Sequence, residues 1–396
     1  MKFAHMADCH IGGWSDPKMK ELSLKAFDKA MQYCVDYSMN FILIAGDLFN
    51  TALPQIDLIK ETAGIMKRVI DSGIKIYIIP GSHDFSPSGK TMLDVLEKAG
   101  LCENVVKIQD NKLLFTNIGN IKITGMLGKK GGLEKEDYKE LDFSNIENET
   151  GFKIFMFHTA IDELKPQGME MMEGMKEAEL PKNFNYYAGG HIHSILEKDY
   201  STGEVVFPGA LFPNNFKEME EFRQGGFYVV EYNNGLLNKK YVPIKLKEVI
   251  TIDYNVDNKS ASEVNDELIE KCSILDSKDK IVLMRLKGTL NQGKPSDLDF
   301  KEIFSKMNDA FFVMKNSSKV NSIQFEQDNK IKEVKNVEPE LIEMHNCNTE
   351  LFNNPLVEKK LISDLILLLD KEKTEGEKSA DFETRISTEA FEALNL

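Results

Sequence analysis

Short β-rich runs alternate with amphipathic helical stretches through the first 200 residues, and no other feature constrains the fold as strongly. Strands are predicted at residues 2–7, 41–45, 74–79, 153–157 and 186–188, and helices at 21–38, 55–71 and 91–98. Each helix is indicated by apolar residues that recur at helical spacing. An alternating order of strands and helices is typical of a layered α/β domain.

The rest of the chain changes character three times. Closely spaced strands at 205–207, 226–232 and 240–244 come first, and we expect them to complete a second sheet. A smaller α+β unit follows, and then a polar stretch. The predicted divisions are residues 1–245 for the first domain, 246–318 for the small unit, 319–354 for a linker and 355–396 for a helical segment.

The helical segment has more apolar surface than it can bury alone. A helix with a broad apolar face is predicted to begin at Pro355, and a second amphipathic helix is predicted at 381–394. Two helices on a linker contain too few residues for a core of their own. They must therefore pack on the rest of this chain or on a partner.

The chain is acidic, with 49 lysines and arginines against 64 aspartates and glutamates and a formal net charge of −15. This balance speaks against a generic basic coat protein for nucleic acids, so contact with DNA or RNA would be local, metal-assisted or shared with a partner. Apolar runs fall short of the roughly 18 residues that span a bilayer. The five cysteines are scattered without a C-x-x-C pair, so we expect a cytoplasmic protein with reduced thiols and no membrane contact.

Acidic residues and histidines stand where five of the predicted strands end. In open α/β sheets the functional crevice lies outside the carboxyl ends of the strands, so segments distant in sequence should meet there. Core packing does not explain such a coincidence. The residues are Asp8 and His10 after the first strand, Asp47 after the second, Ser82 and His83 after the third, His158 after the fourth, and His191 with His193 after the fifth.

These side chains form a mixed set of oxygen and nitrogen ligands for divalent metal ions. Such a set suits manganese, iron or zinc, whereas oxygen ligands alone would favour magnesium or calcium. In Asp8-x-His10 and His191-x-His193, the alternation along an extended strand end directs both side chains to one side. Two ions are implied.

The ordered series D-x-H, G-D, G-S-H-D, H and G-H-x-H resembles the motifs of the calcineurin-like metallophosphoesterases. The resemblance covers residues 1 to about 245 and implies an α/β sandwich of two sheets flanked by helices, with a dinuclear metal site at their edge. Three runs are similar to the SbcD-type nuclease subunit of double-strand-break repair complexes, namely FAHMADCHIG, AGDLFN and YAGGHIH. That family also has a small capping domain and a C-terminal helical tail that binds an SMC-like ATPase.

Carried over position by position, the resemblance implies a role for each candidate residue. His83 would be the catalytic histidine, which donates to a phosphate oxygen or protonates the leaving oxygen. One ion would be held by Asp8, His10, Asp47 and His193. Asp47 would bridge to the second ion, which would be held also by Ser82, His158 and His191.

Two positions depart from the family pattern. Ser82 stands where the family normally has Asn, and a hydroxyl is shorter than an amide carbonyl and a weaker ligand. Asn50 stands where many of these nucleases carry His, so one phosphate-contacting or acid role would be missing. Because of Ser82, the second ion would be held loosely, or its ligands would be completed by water.

The function expected from this resemblance is that of a manganese-dependent DNA exonuclease or endonuclease in double-strand-break repair. It would act on DNA as a homodimer, with an SMC-like ATPase bound to the C-terminal helices. A general phosphoesterase for nucleotides or phosphoproteins is the second hypothesis, since the metal site alone would serve it. The third is a DNA and ATPase scaffold whose metal site is weakened by Ser82.

Overall fold

The structure, a computed structural model, describes residues 1–86, 91–166, 169, 172–233, 235–323, 360–362, 364–365, 368–369, 371 and 379–394. In chain order the strands are β1 (Lys2–Met6), β2 (Phe41–Ala45), β3 (Lys75–Ile79), β4 (Glu103–Asn104), β5 (Ile108–Gln109), β6 (Lys112–Leu113), β7 (Thr116–Ile118), β8 (Ile121–Gly125), β9 (Phe152–His158), β10 (Ala160–Ile161), β11 (Gly174–Met175), β12 (Tyr186–Gly190), β13 (Leu196–Tyr200), β14 (Gly203–Phe207), β15 (Gly225–Asn233), β16 (Leu236–Ile244), β17 (Val249–Asn255), β18 (Ile281–Leu290) and β19 (Phe312–Ser322). The helices are α1 (Pro17–Asp36), α2 (Ile56–Asp71), α3 (Met92–Lys98), α4 (Glu134–Glu140), α5 (Ser144–Glu147), α6 (Phe216–Phe222), α7 (Ala261–Ser273), α8 (Phe300–Ser305) and α9 (Ser379–Ala393).

Helix α1 begins at Pro17, before the start predicted at residue 21. The side chain of Asp16 accepts hydrogen bonds from the backbone N–H groups of Lys18 and Met19, at 2.9 and 3.2 Å. Such a cap satisfies donors that the first turn leaves unpaired, and proline fits the first helical position because its missing N–H is not needed there. The Asp-Pro pair therefore sets the start of the helix ahead of its apolar residues.

The first sheet has the strand order β16-β15-β1-β2-β3-β4. Strands β1, β2 and β3 pair in parallel, so their carboxyl ends lie along one edge. The second sheet has the order β13-β14-β12-β9-β8-β7, in which β12 pairs in parallel with both β9 and β14. The predicted α/β sandwich of two sheets flanked by helices is confirmed.

One part of the predicted topology is wrong, because β15 and β16 do not belong to the second sheet. β15 pairs antiparallel with β1, and β16 extends the first sheet beyond it. In the second sheet, the hairpin of β13 and β14 already occupies the position next to β12. Without β15, the outer side of β1 would be left with unpaired backbone groups. Of the three late strands predicted for the second sheet, only β14 lies there.

The five residues of β2 are all buried, because the first sheet lies between helices and the second sheet. Phe41, Leu43 and Ala45 pack in a core with residues of β9 and β12. Ile42 and Ile44 point the opposite way, into a core with α1 and α2. A strand buried on both faces requires a continuous apolar run rather than an alternating one.

The small unit consists of β17, β18 and β19 in parallel, with helices α7 and α8. Val282 and Met284 of β18 face those helices, while Ile281 and Leu283 join the core that contains α1 and α2. Residues 1–322 accordingly form one compact unit. Strand β19 continues to Ser322, past the boundary predicted at residue 318, and residues 324–354 of the predicted linker lie outside the described residues.

The C-terminal unit starts at Ile323, and α9 covers most of the helix predicted at 381–394. The described residues between 360 and 369 are helical, within the stretch where the sequence predicts a helix from Pro355, while 355–359 lie outside the described residues. Among the described helices, none is both long enough and apolar enough to span a membrane.

His5 of β1 connects the two sheets from a fully buried position. Its Nδ1 lies 2.9 Å from the hydroxyl oxygen of Tyr186 in β12. Burial lowers the pKa of His5 from 6.5 to about 3, because the charged ring would lose its hydration. Between about pH 3 and pH 6.5, therefore, His5 is neutral in the folded chain and protonated in the unfolded chain.

We predict that His5→Gln makes the chain less sensitive to acid. The unfolded state takes up a proton at His5 below pH 6.5, while the folded state resists until about pH 3, so the free energy of unfolding falls as the pH is lowered through this window. Between pH 7 and pH 5 this one residue should account for roughly 2 kcal/mol, which the variant would not lose. Denaturant unfolding at both pH values measures the difference. An equal loss in the wild type and the variant would contradict the prediction.

Candidate metal centre

Eight residues selected from the sequence lie where strands of both sheets end. Strands β1, β2 and β3 of the first sheet and β9 and β12 of the second bring their carboxyl ends to one place. The predicted convergence is therefore present in the structure. Its members are Asp8, His10, Asp47, Ser82, His83, His158, His191 and His193.

The backbone at this place is unusual, because several residues other than glycine adopt positive φ angles. The values are 49° at Asp8, 41° at His10, 51° at Asp47 and 88° at His191. Each such residue costs of order 1–3 kcal/mol and persists only where its surroundings hold it. Here two backbone hydrogen bonds connect the loops after β1 and β2. The N–H of Asp8 donates to the carbonyl of Gly46 at 3.1 Å, and the N–H of His10 donates to the carbonyl of Asp47 at 2.9 Å.

One group of ligand atoms consists of Asp8, His10 and His193. The Nε2 atoms of His10 and His193 are 3.1 Å apart, and Nε2 of His193 is 3.8 Å from Oδ1 of Asp8. Nδ1 of His193 donates to Oε1 of Glu218 at 2.9 Å. A carboxylate on one ring nitrogen orients the imidazole and leaves the other nitrogen for a metal.

A second group consists of Asp8, Asp47 and His158. Nε2 of His158 lies 3.2 Å from Oδ2 of Asp47 and 3.9 Å from Oδ1 of Asp8. Nδ1 of His158 donates to the backbone carbonyl of Ala45 at 2.9 Å, so its buried Nε2 is the ring nitrogen that faces the two carboxylates. A buried imidazole nitrogen that faces two carboxylates, while a backbone carbonyl holds the other ring nitrogen, fits a metal ligand.

A third group joins His83 to His10 and Asp47. The backbone N–H of His83 donates to Oδ1 of Asp47 at 2.7 Å, and its ring lies 4.8 Å from that of His10, centroid to centroid. Nδ1 of His83 donates to the backbone carbonyl of Asn50 at 2.8 Å, which leaves Nε2 available for proton transfer.

Ser82 and His191 stand beside these groups rather than in them. The hydroxyl of Ser82 donates to Oδ2 of Asp47 at 3.3 Å. The backbone N–H of His191 is 3.0 Å from both carboxylate oxygens of Asp8, and its ring lies 5.2 Å from that of His158, centroid to centroid. The roles of all eight residues as ligands or as catalytic group stay predictions.

Burial and neighbouring charges oppose each other at the buried carboxylates. Burial raises the pKa of Asp8 to about 6, although His158 and His193 act in the other direction. Burial also opposes ionisation of Asp47, but the charge and the hydrogen bond of His158 outweigh it and hold the pKa of Asp47 below its ordinary value. For His158, burial is outweighed by Asp47 and Asp8, and its pKa rises to about 10. The centre therefore attracts positive charge.

Two acidic residues support the centre without having been assigned a role from the sequence. Asp84 is buried and accepts hydrogen bonds from the backbone N–H groups of Leu48, Phe49 and Gly81, each at 3.1 Å, so it joins the loops after β2 and β3. It belongs to the G-S-H-D motif, which was the available signal. Glu218, the partner of His193, lies in a short helix that no sequence pattern marked.

Residues 1–194 match the family model described as calcineurin-like phosphoesterase. The matched region, just under half of the chain, contains all eight candidate residues. It is also similar to three proteins named DNA double-strand break repair protein Mre11. The one from Archaeoglobus fulgidus is 23% identical over 316 residues, covering 73% of this chain and 69% of that protein. Those from Methanocaldococcus jannaschii and Sulfolobus acidocaldarius are each 27% identical, over 284 and 307 residues, covering 69% and 73% of this chain and 74% and 76% of those proteins. The resemblance drawn from the motifs is thereby confirmed.

We predict that Gly190→Ala disrupts the metal centre. A Cβ at Gly190 would stand 1.9 Å from the carbonyl oxygen of Ala45 and 2.7 Å from Nδ1 of His158, so the hydrogen bond between those two atoms could not remain. The variant should lose Mn²⁺ binding and several kcal/mol of stability, because the clashing atom is backbone. Calorimetric titration with Mn²⁺ and thermal unfolding measure both effects.

Gly64→Ala is the matched control. Gly64 lies in α2 with no atom within 4 Å of the added Cβ. Alanine is favoured over glycine in a helix by about 0.8–1 kcal/mol, so this variant should be slightly more stable and bind Mn²⁺ as the wild type does. If Gly190→Ala and Gly64→Ala had the same Mn²⁺ affinity and the same thermal stability, the close approach of β12 to β2 would not be needed for metal binding.

Proposed function

We propose that this chain is a metal-dependent DNA nuclease that hydrolyses phosphodiester bonds in double-strand-break repair. The observation that carries the proposal is the convergence of aspartates and histidines at the carboxyl ends of strands from both sheets. The choice of DNA as substrate is supported by the relatives, which are named DNA double-strand break repair protein Mre11. Both exonuclease and endonuclease activity fall within the proposal.

Two divalent ions, which we propose to be manganese, would be bound by the mixed carboxylate and imidazole ligands. The ions would supply activation of water and neutralisation of phosphate charge. The buried Nε2 of His158, which faces the carboxylates of Asp47 and Asp8, and the facing Nε2 atoms of His10 and His193 support this assignment. We assign Asp8, His10, Asp47 and His193 to one ion, and Asp47, Ser82, His158 and His191 to the other.

His83 is the proposed catalytic histidine. Its Nδ1–H is held by the carbonyl of Asn50, which fixes the ring and leaves Nε2 to exchange a proton with an oxygen of the substrate. Its backbone N–H also holds Asp47, so a side-chain substitution removes the imidazole and keeps that contact. The backbone of Asn50 thus positions His83 regardless of the side chain at residue 50.

The proposed partners are a second copy of the chain and an SMC-like ATPase that binds the C-terminal helices. Exposed apolar side chains near α2 and α3 support a homodimer, since Leu53 is 80%, Ile56 82% and Val95 55% exposed. The net charge of −15 supports an ATPase that contributes much of the DNA-binding surface.

A hydrolysis assay tests the proposal with labelled duplex and single-stranded DNA, and with bis-p-nitrophenyl phosphate, in Mn²⁺. We expect His83→Ala to lower DNA cleavage by about 10²–10⁴-fold, because the proton transfer is lost. Ser82→Asn should raise it, because an amide carbonyl is a longer and better ligand than a hydroxyl. Chelation of the metal should abolish cleavage and added Mn²⁺ should restore it.

The same assay separates the other two hypotheses. Hydrolysis of the small ester without DNA cleavage would favour a general phosphoesterase. Less than one bound Mn²⁺ per chain, with no hydrolysis of either substrate, would favour a scaffold. Undiminished DNA cleavage by His83→Ala would remove this residue from the catalytic step.

Truncation before Pro355 tests the assigned partner segment. We expect the shortened chain to keep basal nuclease activity, because the eight candidate residues all precede residue 200. It should lose binding to the ATPase in a pull-down or sedimentation experiment, because both amphipathic helices are gone. Retained ATPase binding would refute the assignment of the tail.

A further inference from the structure

Helix α6 holds one of the candidate metal ligands. Oε1 of Glu218 accepts the hydrogen bond from Nδ1 of His193 at 2.9 Å, and Oε2 accepts one from the backbone N–H of Asn214 at 2.8 Å. The side chain of Asn215 caps the helix by accepting from the backbone N–H of Glu218 at 3.0 Å. Both oxygens of this carboxylate are therefore engaged, and the position of α6 determines where His193 is held.

The small unit contacts the same helix through Arg285 of β18. Nε of Arg285 lies 2.8 Å from Oε1 of Glu220, and Nη2 lies 2.6 Å from Oε2, which is a two-pronged contact. The guanidinium also lies over the ring of Phe216, 4.9 Å from its centroid. Arg285 and Glu220 are 20% and 27% exposed, so this pair is partly shielded from water.

A helix of this length depends on its contacts for its position. Seven residues make about two turns, which are not stable in isolation. Residues two apart on a helix project about 200° from each other, so Glu218 and Glu220 leave α6 on opposite sides. Met219 between them is fully buried in the core that also contains α1. The helix is thus fixed by its core residue, by His193 and by Arg285.

We propose that Arg285 is a positioning residue for the metal centre. Acting through Glu220 and α6, it keeps Glu218 in place against His193, so that the small unit influences how tightly the centre binds metal. This inference rests on the proposed function. Because coupling between two sites is reciprocal, bound metal also stabilises the docking of β18 against α6.

The test measures Mn²⁺ affinity by calorimetric titration of the full chain. Removing a residue that orients a metal ligand costs about 10–100-fold in affinity, and Glu218→Gln should fall in that range. Arg285→Ala acts one step further away and should cost about three- to tenfold, while Arg285→Lys should lie between it and the wild type. The exchanged pair, Arg285→Glu with Glu220→Arg, should recover part of the loss.

Lys287→Ala is the matched control. Lys287 lies on the same strand, but its Nζ contacts Asp253 at 3.0 Å within the small unit. It should bind Mn²⁺ as the wild type does. Hydrogen exchange of residues 281–290 gives a second readout, since added Mn²⁺ should slow it in the wild type and less so in Arg285→Ala.

A folded Arg285→Ala with wild-type Mn²⁺ affinity would overturn the inference, and so would an equal loss in Lys287→Ala. If Arg285→Ala does not fold, Arg285→Lys and Glu220→Gln decide by the same titration. If the wild-type chain binds Mn²⁺ and cleaves DNA, and the Arg285 and Glu220 variants bind Mn²⁺ with the same affinity, only this inference is refuted. A wild-type chain that binds no Mn²⁺ refutes the proposed function together with it.

Discussion

The carboxylate of Asp47 is the group on which the arrangement of both sheets depends. It is buried, and a buried carboxylate is tolerated only where donors and positive charge surround it. The backbone N–H of His83 and the hydroxyl of Ser82 come from the loop after β3, and Nε2 of His158 comes from the end of β9 at 3.2 Å. No single strand could supply these groups. The edges of two sheets must therefore meet at Asp47, and the large apolar core between them is what holds them there.

The close approach of the sheets has a cost in backbone conformation. Asp8, Asp47 and His191 adopt positive φ angles that side chains disfavour. The three hydrogen bonds that Asp84 accepts offset part of this cost, because they join the loops after β2 and β3 into one piece. Burial raises the pKa of Asp84 to about 7, so its carboxylate depends on those backbone donors. Gly190 contributes differently, by leaving out the Cβ that would separate β12 from β2.

Much of the fold and most of the centre could be predicted from the sequence, because both depend on local signals. Apolar runs such as Phe41–Ala45 mark buried strands, and Asp47 stands directly after that run. What could not be predicted depends on contacts between distant residues. The pairing of β15 with β1 joins residues more than 220 positions apart, and it is decided by which sheet edge remains open. Glu218 and Arg285 carry no motif, since an exposed-looking glutamate in a charged helix becomes significant only when His193 is seen beside it.

Ion pairs within the acidic chain neutralise several of its basic side chains. Lys129, which follows β8, lies 2.6 Å from Asp137, and Lys239 contacts both Glu197 and Glu204. Charges neutralised within the chain attract a polyanion weakly. The centre itself combines buried carboxylates with histidines, of which His10 is held neutral because burial lowers its pKa to about 3. In the proposed function, bound cations would attract the phosphodiester to this site, so that metal affinity, together with every contact that positions His193, would determine substrate binding as well as catalysis.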